Sequence, residues 1–243
     1  MKKISRSDEF IFIYNELDAF MRKALGQSNE TEHTFLINEM GRRGNRLFEI
    51  HSYELRLFAR LRNAIIHNPY QKDAHPIAEP HQETVKKYRY LKNLVINPPK
   101  ALSIAIPGAK IFTATLDTNV QHILHTMIDK SYTHIPIIEE GKIIGIFGEN
   151  TLFCYLAKTK DCIITNDFTM REFREFLSVE KHLNEYFEFV PRDALITEIE
   201  EIFEKGLKSL KRIAVVYITE HGKPDEKLLG MITSWDLAGS RQN

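Results

Sequence analysis

The stretch HIPIIEEGKIIGIF, residues 134–147, contains two apolar segments separated by Glu140 and Gly141. Isoleucine dominates both segments, and β-branched residues favour extended strands. A two-residue link that ends in glycine is typical of a tight turn between antiparallel strands. The sequence therefore predicts a β-hairpin with strands at 134–139 and 142–147.

A helix is predicted immediately before this hairpin, over residues 118–130. Its apolar residues recur at helical spacing on one face; they are Val120, Ile123, Leu124, Met127 and Ile128. A strand is predicted near 110–115, so that the unit has the order strand, helix, hairpin.

The same order occurs a second time, about 76 residues later. A strand at 188–190 precedes a second helix, and strands at 212–219 and 228–233 follow it. Apolar positions correspond between the two helices, since Val120, Ile123 and Met127 match Ile196, Ile199 and Phe203. We interpret this as an internal repeat, with copy one at 99–165 and copy two at 166–243.

Residues 1–98 instead show helical periodicity only. The first predicted helix is capped by Ser7 and ends at Gly26; its apolar residues are Phe10, Ile13, Leu17, Phe20 and Ala24. After a polar loop, a second helix is predicted over 44–67; its apolar stripe is Leu47, Ile50, Leu57, Leu61 and Ala64. A third helix is predicted over 79–96, and Pro98-Pro99 closes this part of the chain. The fold class is thus α + α/β, a helical bundle followed by the repeat.

Composition indicates a folded protein of the cytoplasm. The chain is 43% hydrophobic and 27% charged, which is typical of globular proteins and not of disordered ones. Two cysteines cannot form a disulfide framework. No segment approaches the roughly 20 apolar residues that a membrane span requires. Residues 1–98 hold 16 basic and 12 acidic residues, a mild excess that suits a polyanionic partner.

The two copies resemble the CBS domain, the module named after cystathionine beta-synthase, of which a tandem pair is called a Bateman module. Residues 134–147 carry the resemblance in copy one, and RIAVVYITEHGKPDEKLLGMITSWDL, residues 212–237, carries it in copy two. The resemblance implies an adenine nucleotide (AMP, ATP or a related compound) as regulatory ligand, and it implies a homodimer.

In that family, a glycine followed at fixed spacing by Thr or Ser and then by Asp binds the ribose. Copy two has this motif intact, from Gly230 through Thr233 to Asp236. A carboxylate can accept hydrogen bonds from both ribose hydroxyls. The resemblance also implies base contacts from Val190 and Ala214. The alternative is that Asp236 only caps the helix that follows it.

Copy one departs from the motif. Gly148 stands where the family has Thr, and Thr151 stands where it has Asp. Thr113 occupies a place where the family often has a contacting threonine. Because the carboxylate for ribose is missing, we expect one nucleotide site per chain, in copy two, with copy one as its packing partner.

A second motif ends the helix predicted over 44–67. The stretch LRNAIIHNPY, residues 61–70, places Arg62, Asn63 and His67 in its last turn. An imidazole can take the proton of a ribose 2′-hydroxyl, and a guanidinium can hold phosphate oxygens. Alternatively, Arg56, Arg60 and Arg62 form a solvated face and His67 caps the helix end.

The spacing of these three residues resembles the signature of the HEPN domain, the higher eukaryote and prokaryote nucleotide-binding domain. The resemblance implies an all-helical bundle, and for many members a metal-independent RNA endonuclease in which two protomers join their motifs. Arg62, Asn63 and His67 are then the candidate catalytic residues.

Together these features predict a sensor joined to an effector. The CBS-like pair binds the nucleotide and controls the HEPN-like bundle, which cleaves RNA without metal. A second hypothesis is a non-catalytic regulator that binds nucleotide and signals to a partner protein. A third is a scaffold that binds no ligand.

Overall fold

The computed structural model describes residues 4–66, 78–159, 165, 167–182 and 185–240. The chain forms two compact units, Met1–Pro99 and Lys100–Asn243, which we treat separately. None of the helices within the described residues is long and apolar enough to cross a membrane.

The described part of the N-terminal unit contains four helices: α1 (Arg6–Leu25), α2 (His33–Arg42), α3 (Arg46–Ile66) and α4 (Gln82–Ile96). Helix α2 lies in the segment where the sequence predicted a polar loop. Its apolar stripe is only one turn long, with Leu36, Ile37 and Met40 buried, and it has no side-chain cap to mark its start. Packing against α1 and α3 therefore stabilises a helix that its local sequence signals only weakly.

The first turn of α1 also differs from the prediction. Ser5, not Ser7, is the capping residue, because its Oγ accepts a hydrogen bond from the backbone N–H of Asp8 at 3.0 Å. Ser7 is buried, and its hydroxyl donates to the carbonyl of Ala78. The predicted end is confirmed, since Gly26 follows the helix in the left-handed conformation with φ 66°.

The buried face of α3 is rotated from the predicted one. Ile50 is 57% exposed and Leu57 is 40% exposed, and neither belongs to the core. The buried residues are instead Phe48, Leu55, Phe58, Ala59 and Ile65. An aromatic cluster explains the choice, because the ring of Phe58 lies 4.4 Å from Tyr88 and 6.0 Å from Phe10.

The C-terminal unit contains the predicted repeat in the following order: β1 (Ile106–Pro107), α5 (Val120–Lys130), β2 (His134–Glu139), β3 (Lys142–Gly148), α6 (Glu149–Lys158), β4 (Tyr186–Pro191), α7 (Ile196–Lys208), β5 (Ile213–Thr219), β6 (Gly230–Ile232) and α8 (Ser234–Ser240). The hairpin of β2 and β3 is confirmed. Glu140 and Gly141 both have positive φ, 49° and 79°, as a tight two-residue turn requires.

The strand predicted near 110–115 is reduced to one bridge. Ala114 pairs in parallel with Ile137, and its N–H donates to the carbonyl of Pro136 at 3.0 Å. The chain then turns at once, because Thr118 donates its N–H to the carbonyl of Thr115. One paired residue is too few for a strand.

Each copy is completed by a segment from outside its repeat. The larger sheet has the order β1-β6-β5-β4, so that β1, which lies within the bounds predicted for copy one, pairs with β6 of copy two. Conversely, Phe173 and Leu177 lie in the core of copy one although they fall within the bounds predicted for copy two. We call residues 167–182, to which they belong, the connecting segment. The packing therefore does not follow a boundary at 165/166.

Gly145 allows the connecting segment to approach β3. A Cβ at this position would lie 2.6 Å from both the Cβ and the carbonyl oxygen of Leu177. We expect Gly145→Ala to lower the free energy of unfolding by about 1–3 kcal/mol, because backbone must shift to admit the methyl group. Gly239→Ala is the control, since nothing lies within 4 Å of its Cβ position in α8. Equal denaturation midpoints for the two variants would contradict this packing.

Candidate functional site

Thr233 and Asp236 meet at the start of α8. The Oδ2 atom of Asp236 accepts hydrogen bonds from the backbone N–H and the hydroxyl of Thr233, both at 2.7 Å. This is the helix-cap geometry considered as the alternative above. No hydrogen bond to the second oxygen, Oδ1, is present within the described residues. The cap therefore uses one carboxylate oxygen and leaves the other without a hydrogen bond from the described residues.

Thr151 performs the same capping role in copy one. Its Oγ1 accepts from the N–H of Gly148 at 3.2 Å and donates to the carbonyl of Ile146 at 3.4 Å. Both roles of this hydroxyl are thus occupied inside the protein. Helix capping explains why each copy has a hydrogen-bonding residue at this position, Thr151 in copy one and Asp236 in copy two. Only Asp236 has a second carboxylate oxygen that the cap does not use.

The sheet register places Ala214, but not Val190, near this pair. Ile232, the residue before Thr233, is paired with Val216 of β5. Ala214 lies two residues before Val216 on the same strand. Val190 is paired with Ile218, four residues along β5 from Ala214, which corresponds to about 13 Å. Val190 is also buried in the core of copy two. The structure thus separates Val190 from the other three predicted ligand-binding residues.

Two cationic residues lie at the end of β5 that carries Ala214. The ammonium of Lys211 lies 4.9 Å from the ring centre of Tyr186, and the backbone of Arg212 accepts the N–H of Tyr186. The guanidinium of Arg212 lies 3.9 Å from an oxygen of Glu185, whereas no carboxylate pairs with Lys211 among the described residues. Neither cation was predicted as a site residue, although a Lys-Arg pair directly before a buried strand is a usable signal.

In copy one, the position that corresponds to Thr233 is covered by an imidazole. A Cβ on Gly148 would lie 3.1 Å from Cδ2 of His134. His134 Nε2 lies 3.0 Å from an oxygen of Glu185, and both side chains are only 7% exposed. Burial alone would raise the pKa of Glu185, but the hydrogen bond with His134 lowers it overall. The pair occupies the space next to Gly148. Thr113, the other residue considered in copy one, is half-buried.

Arg62 lies on the inward side of α3 in the N-terminal unit. It follows Phe58 by four residues and precedes Ile65 by three, so it shares the buried face. Its guanidinium lies 5.0 Å from the ring centre of Tyr14 and donates to Oδ1 of Asn63 at 3.3 Å. Its Nε is buried and has no partner among the described residues.

Asn63 is exposed and lies about 100° further round α3 than Arg62. The two side chains are nevertheless in contact through the hydrogen bond between them. His67 lies outside the described residues.

No carboxylate pairs with the guanidinium of Arg62 among the described residues. Asp18, whose charge acts on Tyr14 and His33 as that of Arg62 does, is held by Arg22 and His33 at 2.5 and 2.7 Å. His33 stacks on Tyr14 at 4.0 Å. Burial lowers the pKa of His33 in spite of the opposing effect of Asp18, and the charge of Arg62 lowers it further. A half-buried guanidinium that pairs with no described carboxylate is able to bind an anion such as a phosphate.

The family model of the CBS domain matches two segments of the chain, residues 104–158 and 179–242. Residues 1–103 lie outside both segments. No curated protein sequence gives a significant match to the chain.

Several solved structures are similar in fold. One, from Vibrio cholerae, is described as an acetoin utilization protein (AcuB); it is 16% identical, and the alignment covers 59% of this chain and 90% of that one with a TM-score of 0.43. CBSX2, described in complex with AMP, is 12% identical, with 59% and 96% covered and a TM-score of 0.42. The CBS-domain pair of protein MJ0100, described in complex with 5′-methylthioadenosine and S-adenosyl-L-methionine, is 17% identical, with 59% and 95% covered and a TM-score of 0.40.

Identities this low do not transfer a ligand from those proteins to this chain. The family model matches one segment in each copy of the repeat. The first segment contains β2 and β3, and the second contains β5 and β6. Residues 104–242 are therefore a pair of CBS domains.

Proposed function

We propose that the CBS pair binds one adenine nucleotide per chain, in copy two. The observation that carries the proposal is the geometry of Asp236, which caps α8 with one oxygen and keeps the other uncommitted. That oxygen accepts from the ribose hydroxyls, as the intact motif implies. Ala214 lies beside the base, and Lys211, at the same end of β5, provides a positive charge for the phosphate. Val190 has no part in this site.

We further propose that the nucleotide regulates the N-terminal bundle, and that this bundle is a HEPN-like endoribonuclease. The unbalanced guanidinium of Arg62 supports a phosphate-binding role. His67 performs proton transfer, and Asn63 orients the substrate beside Arg62. By the family resemblance, the products carry a 2′,3′-cyclic phosphate and a 5′-hydroxyl. No metal takes part, and a homodimer in the cytoplasm joins two motifs.

One observation favours a non-catalytic regulator as the second candidate. Arg62 stacks on Tyr14 on the inward face of α3, whereas Asn63 is exposed to solvent. A guanidinium used only to fix Tyr14 would be a structural feature of the bundle. In that case the CBS pair passes its signal to a partner protein.

Calorimetric titration of the purified protein with AMP and ATP tests the nucleotide site. We expect one site per chain, because copy one has no carboxylate at the position of Asp236 and because His134 covers Gly148. Two equivalent sites per chain would show that copy one binds nucleotide as well. No heat of binding with any adenine nucleotide would favour a ligand-free scaffold.

A further inference from the structure

Copy one contains a cavity that the nucleotide site does not use. It has a volume of about 220 Å³ and lies between α6 and the connecting segment. Helix α6 contributes Asn150 and Phe153, and the connecting segment contributes Phe176, Lys181 and His182. The first segment matched by the CBS family ends at residue 158 and the second begins at residue 179, so Phe176 lies in neither of them.

His182 gives the cavity an unsatisfied polar group. The residue is only 8% exposed, and its Nε2 has no hydrogen-bond partner among the described residues. Its ring is held edge-on against Phe187, with ring centres 5.0 Å apart. Burial lowers the pKa of His182, so the ring is neutral at pH 7. Buried polar atoms rarely remain unpaired in folded proteins, which indicates that a partner enters from the cavity.

The size and the chemistry of the cavity exclude a nucleotide. Sites for drug-sized ligands typically measure about 300–1,000 Å³, so this one holds a smaller molecule. Thr151, at its edge, already donates its hydroxyl proton to the carbonyl of Ile146 and lacks the carboxylate that accepts from both ribose hydroxyls.

The lysines beside the cavity favour an anion, and Glu185, the carboxylate that acts on His182, is already held by His134 and Asn150. The ammonium of Lys181 donates to the carbonyl of Glu175 at 2.9 Å, and no carboxylate pairs with it in the described ranges. A second ammonium, on Lys158, lies 5.2 Å from the ring centre of Phe176. Two lysines thus lie next to an aromatic wall, with Phe153 72% exposed on the other side.

We propose that this cavity binds a small aromatic carboxylate with a ring hydroxyl, independently of the nucleotide in copy two. Its ring packs against Phe153 and Phe176, its carboxylate faces Lys181, and its hydroxyl pairs with Nε2 of His182. The neutral imidazole can either donate to or accept from a hydroxyl, which fits either tautomer.

Calorimetric or ligand-observed NMR titration of the full chain with 4-hydroxybenzoate tests this proposal. His182→Phe keeps an aromatic ring and removes the nitrogen, and we expect it to weaken binding by about tenfold. Lys181→Gln, at an exposed position, should also weaken binding without affecting folding. Lys223→Gln is the matched control, an exposed lysine of copy two that should bind the probe like the wild type.

AMP binding to the same variants separates this cavity from the nucleotide site. We expect unchanged AMP affinity for His182→Phe and Lys181→Gln, and additive binding of AMP and 4-hydroxybenzoate to the wild type. The proposal is overturned if the wild type fails to bind 4-hydroxybenzoate at millimolar concentration. It is overturned equally if both variants bind the probe as the wild type does, or if AMP displaces it.

Discussion

Replacing His67 with alanine is expected to lower metal-independent cleavage of RNA by about 10²- to 10⁴-fold, the loss that follows removal of a general acid or base. Cleavage is measured with EDTA present, so that contaminating metal-dependent nucleases do not contribute. Size-exclusion chromatography should show that the variant keeps the oligomeric state of the wild type. Cleavage at the wild-type rate would remove His67 from the reaction.

Arg62→Lys provides an independent check in the same assay. Lysine keeps the positive charge but loses the planar donors that hold two phosphate oxygens, so we expect a loss of about 10- to 100-fold. Lys23→Ala is its control, because Lys23 is exposed on α1 and contributes the same charge to the unit. A different outcome would favour the structural role of Arg62 beside Tyr14. In that outcome Arg62→Lys lowers the thermal stability, and the fraction of the variant that stays folded cleaves RNA at the wild-type rate.

Asp236→Ala is expected to weaken adenine-nucleotide binding by about 10- to 100-fold. The ribose hydroxyls lose hydrogen bonds to a charged acceptor, and each such bond contributes about 1.5–3 kcal/mol. The same change removes the cap on Thr233, which costs about 0.5–2 kcal/mol of stability on its own. Binding must therefore be compared at a temperature where both proteins are folded.

Glu198→Ala separates the two effects. Its Oε2 accepts from the backbone N–H of Leu195 at 2.8 Å, so Glu198 caps α7 as Asp236 caps α8. We expect a similar loss of stability in this variant and an unchanged affinity for AMP. Equal losses of affinity in both variants would mean that Asp236 acts through the fold alone.

Local sequence patterns predicted the parts of the fold that local interactions determine. The hairpin of β2 and β3 follows from Glu140-Gly141 between two apolar segments. Helices α5 and α7 begin 76 residues apart, as their matching apolar stripes predicted. The end of α1 follows from Gly26. Each of these signals lies within a few residues of the feature that it specifies.

The face of α3 could not be predicted, because two apolar stripes compete on that helix. Leu47, Ile50 and Leu57 are spaced as well as Phe48, Leu55 and Phe58 are, and the choice depends on aromatic partners from α1 and α4. This choice matters for the candidate site. The observed buried face of α3 places the guanidinium of Arg62 against Tyr14, whereas Asn63 remains exposed to solvent.

Long-range pairing accounts for the other differences. The sequence offered no signal that β1 joins copy two or that Leu177 packs against Gly145. Val190 was assigned by its position at the end of a strand, but the register of β4 against β5 places that end away from Thr233. Thr233 and Asp236 are only three positions apart in the sequence. They were predicted to lie together, and their side chains are hydrogen-bonded to each other.

The central claim is that nucleotide bound to the CBS pair controls the N-terminal bundle, and reciprocal titration tests it most directly. The His67→Ala variant is titrated with AMP or ATP, with and without saturating RNA that carries 2′-O-methyl groups and cannot be cleaved. A nucleotide affects RNA binding only if it binds two states of the chain unequally, and RNA must then change nucleotide affinity by the same factor. We predict a change in nucleotide affinity of about 5- to 150-fold when RNA is present. Identical affinities with and without RNA would contradict the coupling of sensor and effector.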